Sequence, residues 1–135
     1  MAESDPDRDV QRFLLENLES HEQLRSLLLI AKAPDRDWTA QQVADALKLP
    51  PASAHDVLQH LSRRSLLKGR GAVDEMLFTY VPEQAAVVQR LDQICGDEPH
   101  VVMKWMNANA LERVRSSAIK TFADAFLLRK KKPDG

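Results

Sequence analysis

The sequence predicts a mainly α-helical domain that carries one small β-hairpin, and four observations predict it. Leucine and alanine dominate the 135 residues, and both favour helix. Apolar residues recur at helical spacing in several separate segments. A single stretch, residues 76–81, is rich in residues that favour strands. Only four glycines are present, which is too few for a sheet-rich fold with many tight turns.

The N-terminal third predicts an arm followed by two helices. Residues 1–9 are acidic and predict a disordered arm. An amphipathic pattern begins at Val10 and stops near Ser20. Ser20 and Gln23 then have the spacing of a capping box, which predicts the start of the second helix. A polar turn at residues 34–37 ends that helix.

The middle of the chain predicts two short helices joined by a turn, and then the hairpin. Thr39 and Gln42 form a second capping box at the start of the first of these helices. The turn contains Pro50 and Pro51, and the next helix is expected from about Pro51 to Ser65. The hairpin is expected over residues 66–81, and Trp38 is expected to pair with it as a short strand.

The C-terminal part is expected to be helical. Pro82 opens a helix that is expected to end near Cys95, and the apolar residues 100–106 favour a further helical segment. A last helix is expected over roughly residues 109–130. We therefore assign residues 10–98 to one domain with its flanking helices. Residues 99–135 form a C-terminal helical segment with a basic tail that is a candidate for dimerisation.

The spacing of apolar residues between Trp38 and Val81 resembles that of MarR-like winged helix-turn-helix transcription regulators. The pattern is a short helix, a turn, a second helix and a small residue that precedes two apolar residues, with serine replacing the usual glycine. The positions that carry it are Ala44, Leu47, Leu49, Ala54, Leu58, Leu61, Ser65, Leu66 and Leu67. The resemblance implies a mainly α winged helix-turn-helix with a small β-hairpin wing and additional N- and C-terminal helices. It also implies binding of double-stranded DNA as a homodimer.

The helix over residues 51–65 would then lie in the major groove of DNA, with its apolar side buried. Gln59 can pair with adenine and Arg63 with guanine or phosphate, while His55 and His60 share the outward face. Ser53 lies near the helix start, where a hydroxyl and free amides suit a phosphate. Basic residues at the helix end and hairpin base suit the DNA backbone. The predicted DNA-binding residues are Ser53, His55, Gln59, His60, Arg63, Arg64, Lys68 and Arg70.

The distribution of charge supports this prediction only in part. The net charge of the chain is −1, with −4 in residues 1–37, +1 in 38–81, −2 in 82–111 and +4 in 112–135. Asp56, Asp74 and Glu75 lie on or near the predicted DNA-reading surface, where carboxylates repel phosphates. The alternative is therefore a non-enzymatic winged-helix adaptor that binds another protein, because a fold alone does not specify function.

The C-terminal helix carries an apolar stripe that predicts an interface. Its residues are Ile119, Phe122, Ala123, Phe126 and Leu127. The stripe fits a dimer interface, a partner-binding surface, or packing on its own domain. The basic run over residues 129–132 fits a solvated helix end, a contact with DNA phosphates, or a contact with an anionic membrane surface.

The sequence contains no pattern of an enzyme. It has no glycine-rich phosphate loop and no nucleophile or zinc-protease motif, so no catalytic residue, metal or cofactor is expected. Cys95 is the only cysteine, which excludes an intramolecular disulfide. The first residues lack the apolar run of a signal peptide, and no run is long enough to span a membrane. A cytoplasmic protein is therefore expected.

Overall fold

The computed structural model describes residues 6–72 and 75–131, with side chains over 7–72 and 75–121. It confirms the predicted mainly α-helical fold with a small hairpin. The helices are α1 (Pro6–Asn17), α2 (His21–Ala31), α3 (Ala40–Leu47), α4 (Pro51–Arg63), α5 (Ala85–Asp97) and α6 (Pro99–Lys131). The strands are β1 (Asp37–Trp38), β2 (Leu67–Arg70) and β3 (Leu77–Tyr80), and a 3₁₀ turn, Pro82–Gln84, precedes α5.

Both predicted capping boxes fix the start of a helix. The Ser20 hydroxyl accepts from the backbone N–H of Gln23 at 3.2 Å, and the Gln23 amide oxygen accepts from the N–H of Glu19 at 2.7 Å. The Thr39 hydroxyl accepts from the N–H of Gln42 at 3.1 Å, and the Gln42 amide oxygen accepts from the N–H of Thr39 at 3.0 Å. These bonds satisfy N–H groups that have no partner within the helix. They therefore fix where α2 and α3 begin.

The three strands form one antiparallel sheet in the order β1-β3-β2. Phe78 of β3 lies opposite Trp38 of β1 and opposite Gly69 of β2. Trp38 thus pairs with the hairpin as predicted. Since side chains alternate along a strand, Trp38, Phe78 and Tyr80 are buried on the inner face. The outer face carries Asp37, Lys68, Arg70 and Thr79.

A continuous apolar core joins the sheet to all six helices. On one side α2, α3 and α4 pack around the inner face of the sheet, and on the other α1 packs against α5 and α6. The largest of its fully buried side chains are Val10, Leu14, Leu18, Leu27, Ile30, Val43, Leu58, Leu61, Leu66, Phe78, Leu91 and Val102.

Helix α1 begins earlier than the sequence predicts. The acidic arm expected over residues 1–9 is helical from Pro6 onward, while residues 1–5 lie outside the described residues. Proline is tolerated in the first turn of a helix, and Asp7 and Asp9 are favourable near the positive N-terminal end of its dipole. Arg90 of α5 also donates to Asp7 at 2.9 and 3.2 Å. This contact attaches the first turn to the domain.

Helix α6 is continuous, so the predicted division between residues 106 and 109 is wrong. Asn107 and Asn109 interrupt the apolar pattern there, but they only lower helix propensity slightly. No glycine or proline lies between residues 100 and 131. Nothing in this part of the sequence therefore breaks the helix.

Ser65 lies between α4 and β2, where the resemblance implies glycine, and its backbone takes a conformation that suits glycine. Its φ is 63°, in the left-handed region that L-residues avoid. We therefore expect Ser65→Gly to increase the free energy of unfolding by about 0.5–1 kcal/mol. Urea unfolding measures this change. Ser62→Gly is the matched control, because glycine inside α4 should decrease stability by a similar amount. A destabilised Ser65→Gly protein would contradict the prediction.

Candidate nucleic-acid interface

A tight turn between α3 and α4 places α4 at the surface. Lys48 ends α3 in the left-handed conformation, with φ 58°, and the N–H of Leu49 donates to the carbonyl of Ala44 at 2.9 Å. Pro50 then precedes α4 in an extended conformation. The face of α4 that packs on the core consists, as predicted, of Ala54, Val57, Leu58 and Leu61. The opposite face is therefore free for contact.

The outward face of α4 carries residues of mixed chemistry. Ala52, Asp56 and Arg63 are exposed, and Ser53 and Gln59 are half-buried at the edges of this face. Arg63 can donate paired hydrogen bonds to guanine or phosphate, and Gln59 can do so to adenine. Asp56 adds a carboxylate to the same face, which favours donors such as the amino group of cytosine over phosphate.

His55 and Gln59 lie on the side of α4 that faces the hairpin. The Gln59 amide nitrogen is 3.4 Å from the Nε2 atom of His55 and 3.6 Å from the sulfur of Met76. All three side chains are half-buried. Met76 lies just before β3, so this contact holds the loop end of the hairpin against α4.

His60 and Arg64 lie on the other side of α4, next to the end of α1. The Nε2 atom of His60 is 2.7 Å from the carbonyl oxygen of Asn17. The Nε atom of Arg64 donates to the side-chain oxygen of Asn17 at 3.2 Å. Both were predicted to bind DNA, but in this structure their side chains contact α1 instead.

The hairpin presents its cations on the outer face of the sheet. Lys68 is exposed, and Arg70 forms an ion pair with Asp37. The Thr79 hydroxyl donates to the other oxygen of Asp37 at 2.5 Å. The hydrogen bond from Thr79 and the charge of Arg70 lower the pKa of the Asp37 carboxyl, although its partial burial opposes them. Arg70 can therefore bind a phosphate only by sharing its charge with Asp37.

The lowered pKa of Asp37 predicts how stability depends on pH. A carboxyl whose pKa is lower in the folded state stabilises the fold while it is ionised, and this contribution disappears as the pH falls through the folded pKa. We expect Asp37→Asn to be less stable than the wild type at pH 7, and the difference to shrink below pH about 4. Urea unfolding at pH 7 and pH 3 tests this. A difference that stays constant between these pH values would contradict it.

A cavity of about 510 Å³ lies between the start of α3, α4 and the hairpin. Glu75 is exposed at its edge, and Asp74 lies outside the described residues. The surface between helix and hairpin is thus not uniformly basic. The residues that line the cavity are Thr39, Ala40, Gln41, His55, Glu75, Met76, Leu77 and Phe78.

Helix α6 presents apolar side chains to solvent. Ile119, from the predicted stripe, is 62% exposed. Leu111 and Val114 are 69% and 67% exposed and were not part of that stripe, although their spacing places them on one side of a helix. The other predicted interface residues, Phe122, Ala123, Phe126 and Leu127, lie on the helix but their side chains are outside the described ones.

The described residues offer little for other kinds of site. Among the side chains described, those of residues 7–72 and 75–121, no group of His, Cys, Asp or Glu could hold a metal ion. No helix in this part of the chain is long and apolar enough to cross a membrane. Burial and the nearby charge of Asp92 raise the pKa of the half-buried Cys95 thiol, which favours its unreactive, protonated form.

Comparison with known proteins finds similar proteins only among solved structures. No family model and no curated protein sequence matches the chain. MepR, a transcription regulator of the Staphylococcus aureus multidrug efflux pump MepA, superimposes with a TM-score of 0.53 at 13% identity, over 89% of this chain and 90% of MepR. A ZitR variant from Lactococcus lactis superimposes with a TM-score of 0.50 at 18% identity, over 93% of this chain and 80% of ZitR. HlyU from Vibrio cholerae superimposes with a TM-score of 0.50 at 14% identity, over 68% of this chain and 92% of HlyU.

The MepR and ZitR structures each match about nine-tenths of this chain, and HlyU matches about two thirds of it. At such low identity the likeness establishes the fold. The chain therefore has the winged helix-turn-helix fold that its resemblance to MarR-like regulators implied.

Proposed function

We propose that this protein is a non-enzymatic, DNA-binding transcription regulator of the MarR-like kind, acting as a homodimer in the cytoplasm. Helix α4 would lie in the major groove, with the β2–β3 hairpin as the wing. The observation that carries the proposal is the outward face of α4, where Arg63 and Gln59 are presented by a helix whose opposite face is buried. A MepR variant of the same fold is described as bound to an oligodeoxyribonucleotide, with a TM-score of 0.53 at 13% identity.

The positions of the side chains divide the predicted DNA-binding residues into groups. Arg63, Gln59 and His55 are placed to meet base edges, and Ser53, near the start of α4, to meet a phosphate. Lys68 is free on the outer face of the hairpin to contact the DNA backbone, and Arg70 would do so while paired with Asp37. His60 and Arg64 could reach DNA only by giving up their bonds to Asn17.

Dimerisation would supply the charge that one subunit lacks. Residues 38–81 have a net charge of only +1, so strong attraction to DNA needs two subunits or the basic C-terminal segment. The exposed apolar residues of α6 offer a surface on which two copies can pair. A stable interface buries roughly 1,200–2,000 Å² in total, which the length of this helix can provide.

The dependence of binding on salt tests the proposal. Binding to a random-sequence duplex is measured by fluorescence anisotropy at several salt concentrations. A DNA-binding protein loses affinity steeply as salt rises, because each phosphate contact releases counterions. No binding at low salt would contradict the proposal and favour the protein-binding adaptor, for which the exposed carboxylates of Asp56 and Glu75 are better suited.

Substitution of Arg63 identifies the surface that binds. Arg63→Ala should weaken DNA binding by about 10-fold or more, since loss of a bidentate contact costs about 1–3 kcal/mol. Arg12→Ala is the matched control, because Arg12 is also an exposed arginine but lies on α1. Equal affinities of the two variants would mean that α4 is not the binding surface.

A further inference from the structure

Side chains from α4 and α6 converge on the C-terminal end of α1. From α6, the Nη2 atom of Arg113 donates to the carbonyl oxygens of Leu15, Leu18 and Leu14 at 2.7, 2.9 and 3.4 Å. From α4, His60 and Arg64 bind the backbone carbonyl and the side-chain oxygen of Asn17. The last turn of α1 is thus bonded to the DNA-reading helix and to the long C-terminal helix at once.

Asn17 is a buried polar residue with a fixed orientation. It is 6% exposed, and its side-chain nitrogen donates to the carbonyl of Phe13 at 3.0 Å. The donated bond turns the side-chain oxygen outward from α1, where it accepts from Arg64. A buried amide whose nitrogen and oxygen are both hydrogen-bonded costs free energy to disturb. The contact between α1 and α4 is therefore specific in both position and direction.

The electrostatics of a helix end explain why cations gather there. The last carbonyl groups of a helix have no partner within it and carry a partial negative charge. Helix α1 has no basic residue in its last turn. The arginines that complement this charge instead come from α4 and α6, so the same interaction that stabilises α1 connects the other two helices.

In a dimer formed through α6, this connection would determine where the two α4 helices lie. Two recognition helices must be about 34–36 Å apart to enter successive turns of the major groove. We propose that Asn17, His60, Arg64 and Arg113 are positioning residues that fix α4 relative to α6. They act on DNA binding through α1 and do not touch DNA themselves. The expected effect on DNA binding rests on the proposed function, whereas the claim that these residues fix α4 relative to α6 does not.

A distance measurement tests the geometric part without DNA. Spin labels are attached to cysteines introduced at two exposed positions, Asp56→Cys on α4 and Ser116→Cys on α6, in a Cys95→Ser protein. Labelled chains are diluted with unlabelled ones, so that electron double resonance reports the distance within one chain. Asn17→Ala should shift or broaden this distance. Asn107→Ala, at an exposed position of α6, is the control and should leave it unchanged. An unchanged distance in folded Asn17→Ala protein would overturn the proposal.

A double-mutant cycle on DNA binding separates positioning from direct contact. If Asn17 and Arg64 are positioning residues, replacing either one by alanine should lower the affinity for a random-sequence duplex by roughly 2- to 30-fold. The double variant should bind DNA no more weakly than whichever single variant binds more weakly, because the two substitutions remove the same connection between α1 and α4. The salt dependence should stay unchanged for Arg64→Ala. A slope reduced by about 0.9, with independent effects of the two substitutions, would instead show that Arg64 contacts a phosphate.

The two experiments fail independently. If the wild type does not bind DNA but Asn17→Ala changes the α4–α6 distance, the proposed function is refuted and the positioning role is retained. If the wild type binds DNA but Asn17→Ala leaves the distance unchanged, the positioning role is refuted and the proposed function is retained. Arg64→Lys, which keeps one donor for the Asn17 oxygen, should restore part of the lost affinity if the hydrogen bond is what matters.

Discussion

Val114→Glu is expected to convert the protein to a monomer and to weaken its binding to DNA by about 100-fold or more. Val114 is 67% exposed in a single chain, so the substitution should change the stability of that chain little. In a dimer formed through α6 it would place a carboxylate from each subunit in an apolar interface, where an unpaired charge is very costly. Separate subunits then lose the gain of binding two half-sites at once, which amounts to about 10²–10⁴ in affinity.

Gln89→Glu is the matched control for this prediction. It adds a negative charge at an exposed position of α5 and leaves α6 unchanged. Sedimentation velocity measures the oligomeric state, and anisotropy measures DNA binding. A Val114→Glu protein that sediments as a dimer would show that this face is not the interface. A wild type that is monomeric at high concentration would remove the dimer from the proposal.

The fold could be predicted where local sequence patterns determine the structure. The capping boxes at Ser20 and Thr39, together with apolar residues at helical spacing, predicted the starts of α2 and α3 and the buried face of α4. The hairpin followed from its strand-forming residues. The ends of α1 and α6 were harder to predict. The start of α1 depends on the contact of Asp7 with Arg90, 83 positions away, and no sequence pattern reveals such a contact.

The candidate site divides in the same way. The helical spacing of Arg63 and Gln59 correctly predicted that they lie away from the core. It also placed His60 on that outward face, and Arg64 at the helix end, among the DNA-binding residues. Helical spacing separates buried from outward residues but does not show which neighbour packs beside the helix. The bonds of His60 and Arg64 to Asn17 span 43 and 47 positions, so only the folded structure reveals them.

Phe78→Ala should cause the largest loss of stability, about 3–5 kcal/mol. Phe78 is completely buried, and its ring covers Gly69, where an added Cβ atom would lie only 3.3 Å from it. It also lies opposite Trp38, so its removal leaves a cavity at the point where all three strands meet the helices. Against a total stability of about 5–15 kcal/mol for a domain of ordinary size, such a loss is large.

Urea unfolding tests this prediction, with a lower midpoint and an unchanged slope as the expected result. Leu77→Ala is the matched control, because Leu77 is adjacent in β3, points to the outer face and is only half-buried. It should cost much less, since fewer contacts are lost. Equal costs for the two substitutions would mean that the hairpin unfolds separately from the helical core. In that case the contact of Met76 with Gln59 could not hold the wing in a fixed position beside α4, and the wing would contribute little to DNA binding.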